Sequence, residues 1–363
     1  MKMGFIIVIL VAVLVHVYVL WHVYQVLPFP VWAKWTVVVL MLASLVMMLA
    51  GIAGAFNRMP LGLASAAYDV STSWLIVFLY LLLAFLLLDL GRLIHIVPKM
   101  WLHDNAWTSG AITALVAGLL VYGNIHYNNK VREPLQLDTT KEISKPMKVV
   151  MLSDLHLGYH NRKAEWQRWM KMINQENPDL ILVAGDIIDG YVRPLIEEDM
   201  AAGFHQLNAP VVACLGNHEY ITGIDNSLDF YKKAGITLLR DSTLTVGDLV
   251  IVGRDDRFSR KRKSVKHLLD GVDKSKFIIL LDHQPYNLEE AQKAGVDFQL
   301  SGHTHEGQVW PISLLVHSMY EKAWGAYQKG DTRYYISSGM GIWGGKYRIG
   351  TRSEYIVATI QSK

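Results

Sequence analysis

Four stretches of the chain contain no charged residue: between Lys2 and Lys34, between Lys34 and Arg58, between Asp69 and Asp89, and between Asp104 and Lys130. Crossing a hydrocarbon core takes about 20 predominantly apolar helical residues, and each stretch holds enough. They predict four spans, from about Gly4 to Leu27, Val31 to Phe56, Ser73 to Val97 and Gly110 to Tyr127. Together they make a four-helix transmembrane domain over residues 1–129. The first span stops at Pro28-Phe29-Pro30, whose rings cannot continue a helix. It is too long for a signal-peptide apolar region and is followed by three more, so it is expected to stay in the mature protein. Thr113, Gly118 and Gly123 suit close helix packing in the fourth. Trp21, Trp32, Trp35, Trp74, Trp101 and Trp107 fall near span ends, where amphipathic rings favour the interface.

Few polar groups lie inside these spans. Asp89 and Arg92 are three apart and His95 a turn further on, so they are expected to share a helix face as a structural ion pair. A lipid head-group contact is the alternative. His16 and His22 read as packed or interfacial residues. Four spans put the N-terminus and the C-terminal domain on one side, with Lys2, Arg58, Lys130 and Arg132 there against Lys34, Arg92 and Lys99 opposite. The positive-inside rule then favours a cytoplasmic catalytic domain at a bacterial inner membrane. The single cysteine, Cys214, excludes an internal disulfide and sits in an apolar run typical of a buried strand. A net charge of +3, with no basic arm, excludes nucleic acid as the expected partner.

Residues 130–146 are polar, include Pro134 and Pro146, and read as a short connector. Over 147–363, β-branched runs bounded by Gly, Asp and Asn alternate with helical patterns. Strands are expected at Lys148–Leu152, Leu180–Ala184, Val211–Leu215, Leu249–Val252, Phe277–Leu281, Tyr334–Ser337 and Tyr355–Ile360, with helices at Ala164–Asn174 and Leu228–Ala234. Uninterrupted apolar strands are buried on both faces, which predicts an α/β fold. In open α/β sheets ligands gather at the carboxyl ends of strands.

Five clusters stand there: Ser153-Asp154-Leu155-His156-Leu157, Gly185-Asp186-Ile187-Ile188-Asp189, Gly216-Asn217-His218-Glu219, Asp282-His283-Gln284-Pro285 and Gly302-His303-Thr304-His305. Any one alone is more often a turn or a helix cap than a ligand set. Together they supply carboxylates, an amide and imidazoles, which suit Mn, Fe, Zn or Mg better than a thiolate-loving ion. Two such ions about 3.5–4 Å apart activate water and neutralise phosphate oxygens, so phosphate-ester hydrolysis is the natural use.

This ordered set resembles the calcineurin-like metallophosphoesterase superfamily from about Met147 onward. The resemblance implies a four-layer fold, two packed mixed sheets flanked by helices, with two divalent metal ions, Mn foremost. It also implies that Asp154, His156 and His305 bind one ion, Asn217, His283 and His303 the other, and Asp186 both. His218 would then stabilise charge at the scissile group or protonate the leaving oxygen, with Asp189 and Glu219 orienting the ligands. Asp282 departs from many relatives, which carry another residue before the histidine; it reads as a solvated or backbone-bonded carboxylate. The tail from Tyr335 to Gly350 and Gly307-Gln308 are similar to a membrane-associated bacterial subgroup that includes lipid-A-pathway pyrophosphatases. Those relatives cleave UDP-diacylglucosamine-type lipids.

Three surface features accompany the clusters. Arg254 to Lys263 is the densest basic stretch, read equally as an anionic head-group contact, through Arg254 and Arg257, or as a solvated loop. Trp310 to Tyr327 has an apolar face suited to the interface or to packing. Lys346 and Arg348 are candidate phosphate contacts. A membrane-embedded phosphoesterase acting on a lipid-linked phosphodiester or pyrophosphate is the expected function, with a membrane lipid as its partner. The rivals are an enzyme for soluble substrates that is only anchored, and a non-catalytic membrane sensor or scaffold. The oligomeric state is left open by the sequence.

Overall fold

The computed structural model describes residues 2–363, with side chains from Leu10 onward. Its contacts divide the chain into two units, one reaching to Asn124 together with Gly344–Lys346, the other comprising Ile125–Trp343 and Tyr347–Lys363. The boundary therefore falls at Asn124 rather than at 129, and the last turn of the fourth long helix counts with the second unit.

The first unit contains α1 (Lys2–Val26), α2 (Val31–Ile52), α3 (Leu61–Leu93) and the start of α4 (Ala106–Asn128). Among the described residues, α2, α3 and α4 are long and apolar enough to cross a membrane, whereas the described apolar part of α1 is the shorter Leu10–Val26. Three helices meet the criterion where four were expected. Prolines at Pro30 and Pro60 immediately precede α2 and α3, positions where a missing N–H costs nothing. Starting at Leu61, α3 begins twelve residues before the expected Ser73, because Asp69 is accommodated inside the helix instead of ending it. At ~1.5 Å per residue its 33 residues extend about 50 Å. The expected Asp89–Arg92 pair does not form as drawn. Asp89 instead accepts a hydrogen bond from Tyr18 of α1 at 2.8 Å and lies 3.1 Å from His22 Nε2. His95 has left the helix in a left-handed conformation, φ 61°. A partner on a neighbouring helix can satisfy a carboxylate within the bundle, which three-residue spacing along one helix does not reveal.

Twelve strands form the second unit. One six-stranded sheet has the order β1 (Lys130–Thr139), β12 (Ser353–Ser362), β2 (Met147–Leu152), β3 (Leu180–Ala184), β4 (Val211–Cys214), β5 (Thr237–Leu238). The other runs β10 (Gly325–Lys329), β11 (Thr332–Ile336), β9 (Phe298–Ser301), β8 (Phe277–Leu281), β7 (Leu249–Gly253), β6 (Ser242–Val246). Both are mixed: β2, β3, β4 and β5 are parallel while β12 runs antiparallel to β2, and β7, β8, β9 and β11 are parallel between antiparallel β6 and β10.

The two-residue side-chain period explains how these sheets stack. Along β3, Leu180, Leu182 and Ala184 join a core shared by both sheets, while Ile181 and Val183 face Trp166, Trp169 and Phe204 from helices outside. Along β8, Phe277, Ile279 and Leu281 enter the shared core, and Ile278 and Leu280 pack under Leu268, Leu269 and Leu288. The result is helix, sheet, sheet, helix. Cys214 is buried in the central core.

One segment departs from the sequence reading. Residues 130–139, expected to belong to a polar connector, form β1, paired in parallel with β12 from Lys130↔Ser353 to Thr139↔Ser362. An edge strand has one side free, so it tolerates Pro134 and an alternating polar face that a central strand would not.

Candidate metal centre

The parallel strands place the donors. Asp154 and His156 follow β2, Asp186 follows β3, Asn217 follows β4, His283 follows β8, and His303 and His305 follow β9. All seven come from carboxyl ends of strands, some from each sheet. Asp154, His156, Asp186, His303 and His305 have left-handed backbones, φ between 45° and 71°. Such conformations are costly for residues with a Cβ and cluster where geometry serves a site.

Two groups of donors converge. In the first, His156 Nε2 and His305 Nε2 lie 3.1 Å apart, and Asp154 Oδ1 is 3.8 Å from one and 3.6 Å from the other. In the second, Asn217 Oδ1 is 2.8 Å from His303 Nδ1 and 3.2 Å from His283 Nε2, which is 3.1 Å from Asp186 Oδ2. The same Asp186 Oδ2 is 3.7 Å from His156 Nε2 and so stands between the groups. Donors bound at ~2.0–2.2 Å around one cation sit roughly 3–3.5 Å from one another. These spacings, and imidazole nitrogens aimed at each other, fit two divalent ions. The mixed nitrogen and oxygen set suits borderline or hard ions, and it identifies no single metal.

Electrostatics sort the histidines. Burial alone would lower His156, but the adjacent Asp154 and Asp189 carboxylates override it and lift the imidazole to about 10. His283 is likewise raised against its burial, by Asp186. Burial, reinforced by His283, lowers His303 to about 4, and burial lowers His305 to about 3. Burial opposes ionisation of Asp154 and Asp186, yet the surrounding histidines hold both below the usual carboxylate range.

Supporting groups fix the ligands. Asp189 Oδ1 lies 3.2 Å from His156 Nδ1, and the Ala184 carbonyl is 2.7 Å from His283 Nδ1. Fully buried Glu219 accepts from the amides of Asp186, Ile187, Ile188 and Gly216 at 2.7–3.1 Å, joining the β3 and β4 loops. His218 donates its amide to Asp186 Oδ1 at 2.9 Å, sets Nδ1 against the Asp189 carbonyl, and packs edge-on to His156 at 4.6 Å.

The expected substrate contacts fare differently. Arg348 is fully buried; it donates to the carbonyls of His305 at 2.7 Å and Gly341 at 3.1 Å, so it braces the loop and does not face substrate. Arg254 is also buried, between Asp282 at 3.2 Å and Glu290 at 2.7 Å, with Nε on the Lys263 carbonyl. Asp282 is correspondingly paired with Arg254 and Arg262, not solvated. Lys346 falls in the first unit, outside the unit that carries the donors. Arg257 alone of the four is an exposed guanidinium in the metal-bearing unit, stacked 4.5 Å over Tyr286.

Sequence reasoning missed Asn161, whose amide donates to the Leu155 and His156 carbonyls at 3.1 Å and whose carbonyl accepts from buried Tyr127 at 2.7 Å. It also missed His160, 2.6 Å from the Ile342 carbonyl. Their nearness to the Asp154-x-His156 cluster was the only available signal.

Comparison with known proteins gives the family. The family model for calcineurin-like phosphoesterases matches residues 147–307. A Campylobacter jejuni protein named as an uncharacterized metallophosphoesterase is 30% identical over 253 residues, covering 67% of this chain and 67% of its own length. A Helicobacter pylori protein similarly named is 32% identical over 222 residues, with 59% of each chain covered, so the match leaves two fifths of that relative unaccounted for. A Danio rerio protein named as a transmembrane protein with metallophosphoesterase domain is 29% identical over 307 residues, covering 76% of this chain and 70% of its own.

Proposed function

Because the chain belongs to the calcineurin-like metallophosphoesterase family, we propose that it is a membrane-embedded, metal-dependent hydrolase of a phosphodiester or diphosphate bond in a lipid-linked substrate. A single observation carries the hydrolytic part: Asp186 Oδ2 stands between two groups of buried donors, 3.1 Å from His283 and 3.7 Å from His156.

Asp154, His156 and His305 would hold one divalent cation, Asn217, His283 and His303 the second, and Asp186 both. Two such ions, most simply Mn, supply Lewis-acid polarisation of a phosphoryl group and an activated water. The chain's own groups do the rest. Asp189 keeps the His156 ring aimed by facing its Nδ1, and Glu219 holds the Asp186 loop through three amides. His218 turns Nδ1–H to the Asp189 carbonyl, which leaves Nε2 for the departing oxygen; the imidazolium form would give that oxygen its Nε2 proton and be left as the neutral ring.

Two features support a lipid-linked substrate over a soluble one. Helices α2, α3 and α4 are each long and apolar enough to cross a membrane. Within the metal-bearing unit, Trp310, Leu314, Leu315 and Met319 on or beside the helix Ile312–Met319 are 51–61% exposed, only a few residues after ligand His305. Exposed apolar surface of that density on a soluble unit marks an interaction face. A UDP-diacylglucosamine-type lipid fits this reading. We further take α1 as a fourth span, which puts the N-terminus and the metal-bearing unit on one side, and the Lys and Arg near the span ends favour the cytoplasm for that side.

The full-length protein in detergent with Mn should hydrolyse bis(4-nitrophenyl) phosphate. Asp186→Ala and His305→Ala should each lower turnover by about three orders of magnitude, with circular dichroism unchanged. Near-normal rates in either variant would exclude the mechanism.

A further inference from the structure

The His303 side of the centre continues outward through a row of side chains that no part of the ligand scaffold uses. The Tyr320 ring packs edge-on to His303 at 6.4 Å, and Tyr286 lies beside Tyr320 at 4.9 Å. The Arg257 guanidinium lies over the Tyr286 ring, 4.5 Å from its centroid.

Counting hydrogens shows what the row lacks. The Tyr286 hydroxyl donates to the Tyr320 hydroxyl at 3.0 Å. Two hydroxyls sharing one hydrogen bond leave one O–H proton over, and among the described residues neither oxygen has a further protein partner. Arg257 is equally unspent. Arg254 and Arg262 are tied to carboxylates, but the Arg257 guanidinium over the Tyr286 ring is exposed and, among the described residues, has no carboxylate within salt-bridge distance. The cation–ring contact holds the guanidinium in place and uses none of its five N–H donors. A positioned cation, a spare hydroxyl donor and contact with a metal ligand together describe a receptor for an anion next to the reacting group.

We propose that Tyr320, Tyr286 and Arg257 form a substrate subsite leading outward from His303, in which Arg257 holds the second phosphate of a diphosphate substrate. The spare tyrosine hydroxyl donates to an oxygen of the same diphosphate, nearer the cations. The subsite rests on the hydrolase reading above and narrows it, making a diphosphate the preferred substrate and a simple diester a poor one.

Two measurements on full-length, Mn-loaded protein test this. In kinetics, Arg257→Ala should raise KM for a uridine diphosphate alkyl ester about tenfold with kcat little changed, since a charge-assisted hydrogen bond is lost. It should lower kcat/KM for bis(4-nitrophenyl) phosphate far less than kcat/KM for the diphosphate ester. Arg257→Lys should restore affinity only in part, because an ammonium neither stacks nor forks. Tyr320→Phe should weaken the diphosphate ester selectively while keeping the ring. In calorimetry, wild type should bind methylenediphosphonate more tightly than methylphosphonate, and Arg257→Ala should erase that margin. Equal losses on both esters would assign Arg257 to the scissile phosphate and overturn the proposal, as would no loss on either. If the wild type hydrolyses neither ester, the hydrolase reading has failed; the phosphonate margin then decides the subsite alone, and its persistence in Arg257→Ala overturns it.

Discussion

Gly216 and Gly302 each stand one residue ahead of a donor, and the space where a Cβ would sit is taken by a carboxylate oxygen, of Asp186 at Gly216 and of Asp154 at Gly302. No side chain fits without moving a ligand. Gly216→Ala should therefore weaken Mn binding by about tenfold or more, measured by metal content after dialysis, with secondary structure retained. The histidine charges give a second expectation. In the metal-free protein at pH 7.5, His156, lifted to about 10, and His283, also raised, carry protons, whereas His303 at about 4 and His305 at about 3 do not. Cations must displace the former protons, so metal affinity should rise with pH through this range and fall on acidification. About two protons should be released per protein, read from calorimetric titrations in buffers of different ionisation enthalpy; no release would contradict the assignment. The seven candidate donors were readable because each lies in a short motif, and Asp154, His156, Asp186, Asn217 and His283 also follow an expected strand. Arg348 and Arg254 were not: a cation's partner is settled by tertiary neighbours such as the His305 carbonyl, 43 residues away from Arg348.

Among strands, those with a continuous apolar run were readable and those with mixed surfaces were not, whereas the two-faced helices expected at Ala164–Asn174 and Leu228–Ala234 stand at Lys163–Gln175 and Ile224–Lys233. β3 and β8 have every residue buried and were recognised at their full length. β9, Phe298–Ser301, went unseen because it is four residues long and half polar, although Gln299 finds a buried partner in Ser301 at 3.0 Å. β1 was hidden by the alternation proper to a sheet edge. The helix Ile312–Met319 gives the prediction proper to this scale. If its exposed apolar side engages lipid, Leu314→Gln combined with Leu315→Gln should lower turnover of a diacylglucosamine nucleotide in mixed micelles by about tenfold and leave bis(4-nitrophenyl) phosphate unaffected. Equal rates on the lipid would return that surface to an unassigned apolar patch and favour soluble substrates.

At the scale of the whole molecule, the charge-free stretches announced a membrane-type unit and the motifs a metal-bearing one, while the join between them was misread. A polar stretch is compatible with a connector and with an edge strand alike, and only the partner strand decides. Orientation is open to direct measurement. With α1 as a span and the metal-bearing unit cytoplasmic, a fluorescent reporter fused after Lys363 should be active in the cytoplasm, and an alkaline phosphatase reporter there inactive; the reverse pattern would invert the topology. The placement of β12 between β1 and β2 has a consequence in time. Every donor has been synthesised once His305 has left the ribosome, but the sheet that aims Asp154 still lacks a member. β1 emerges directly behind α4 and waits for Ser353–Ser362, more than 200 residues downstream, as an unpaired ten-residue edge. Synthesis of Ser353–Ser362 is thus the event that closes the sheet, and a nascent protein cut short before Ser353 would hold all its candidate ligands and be a substrate for proteolysis rather than an enzyme.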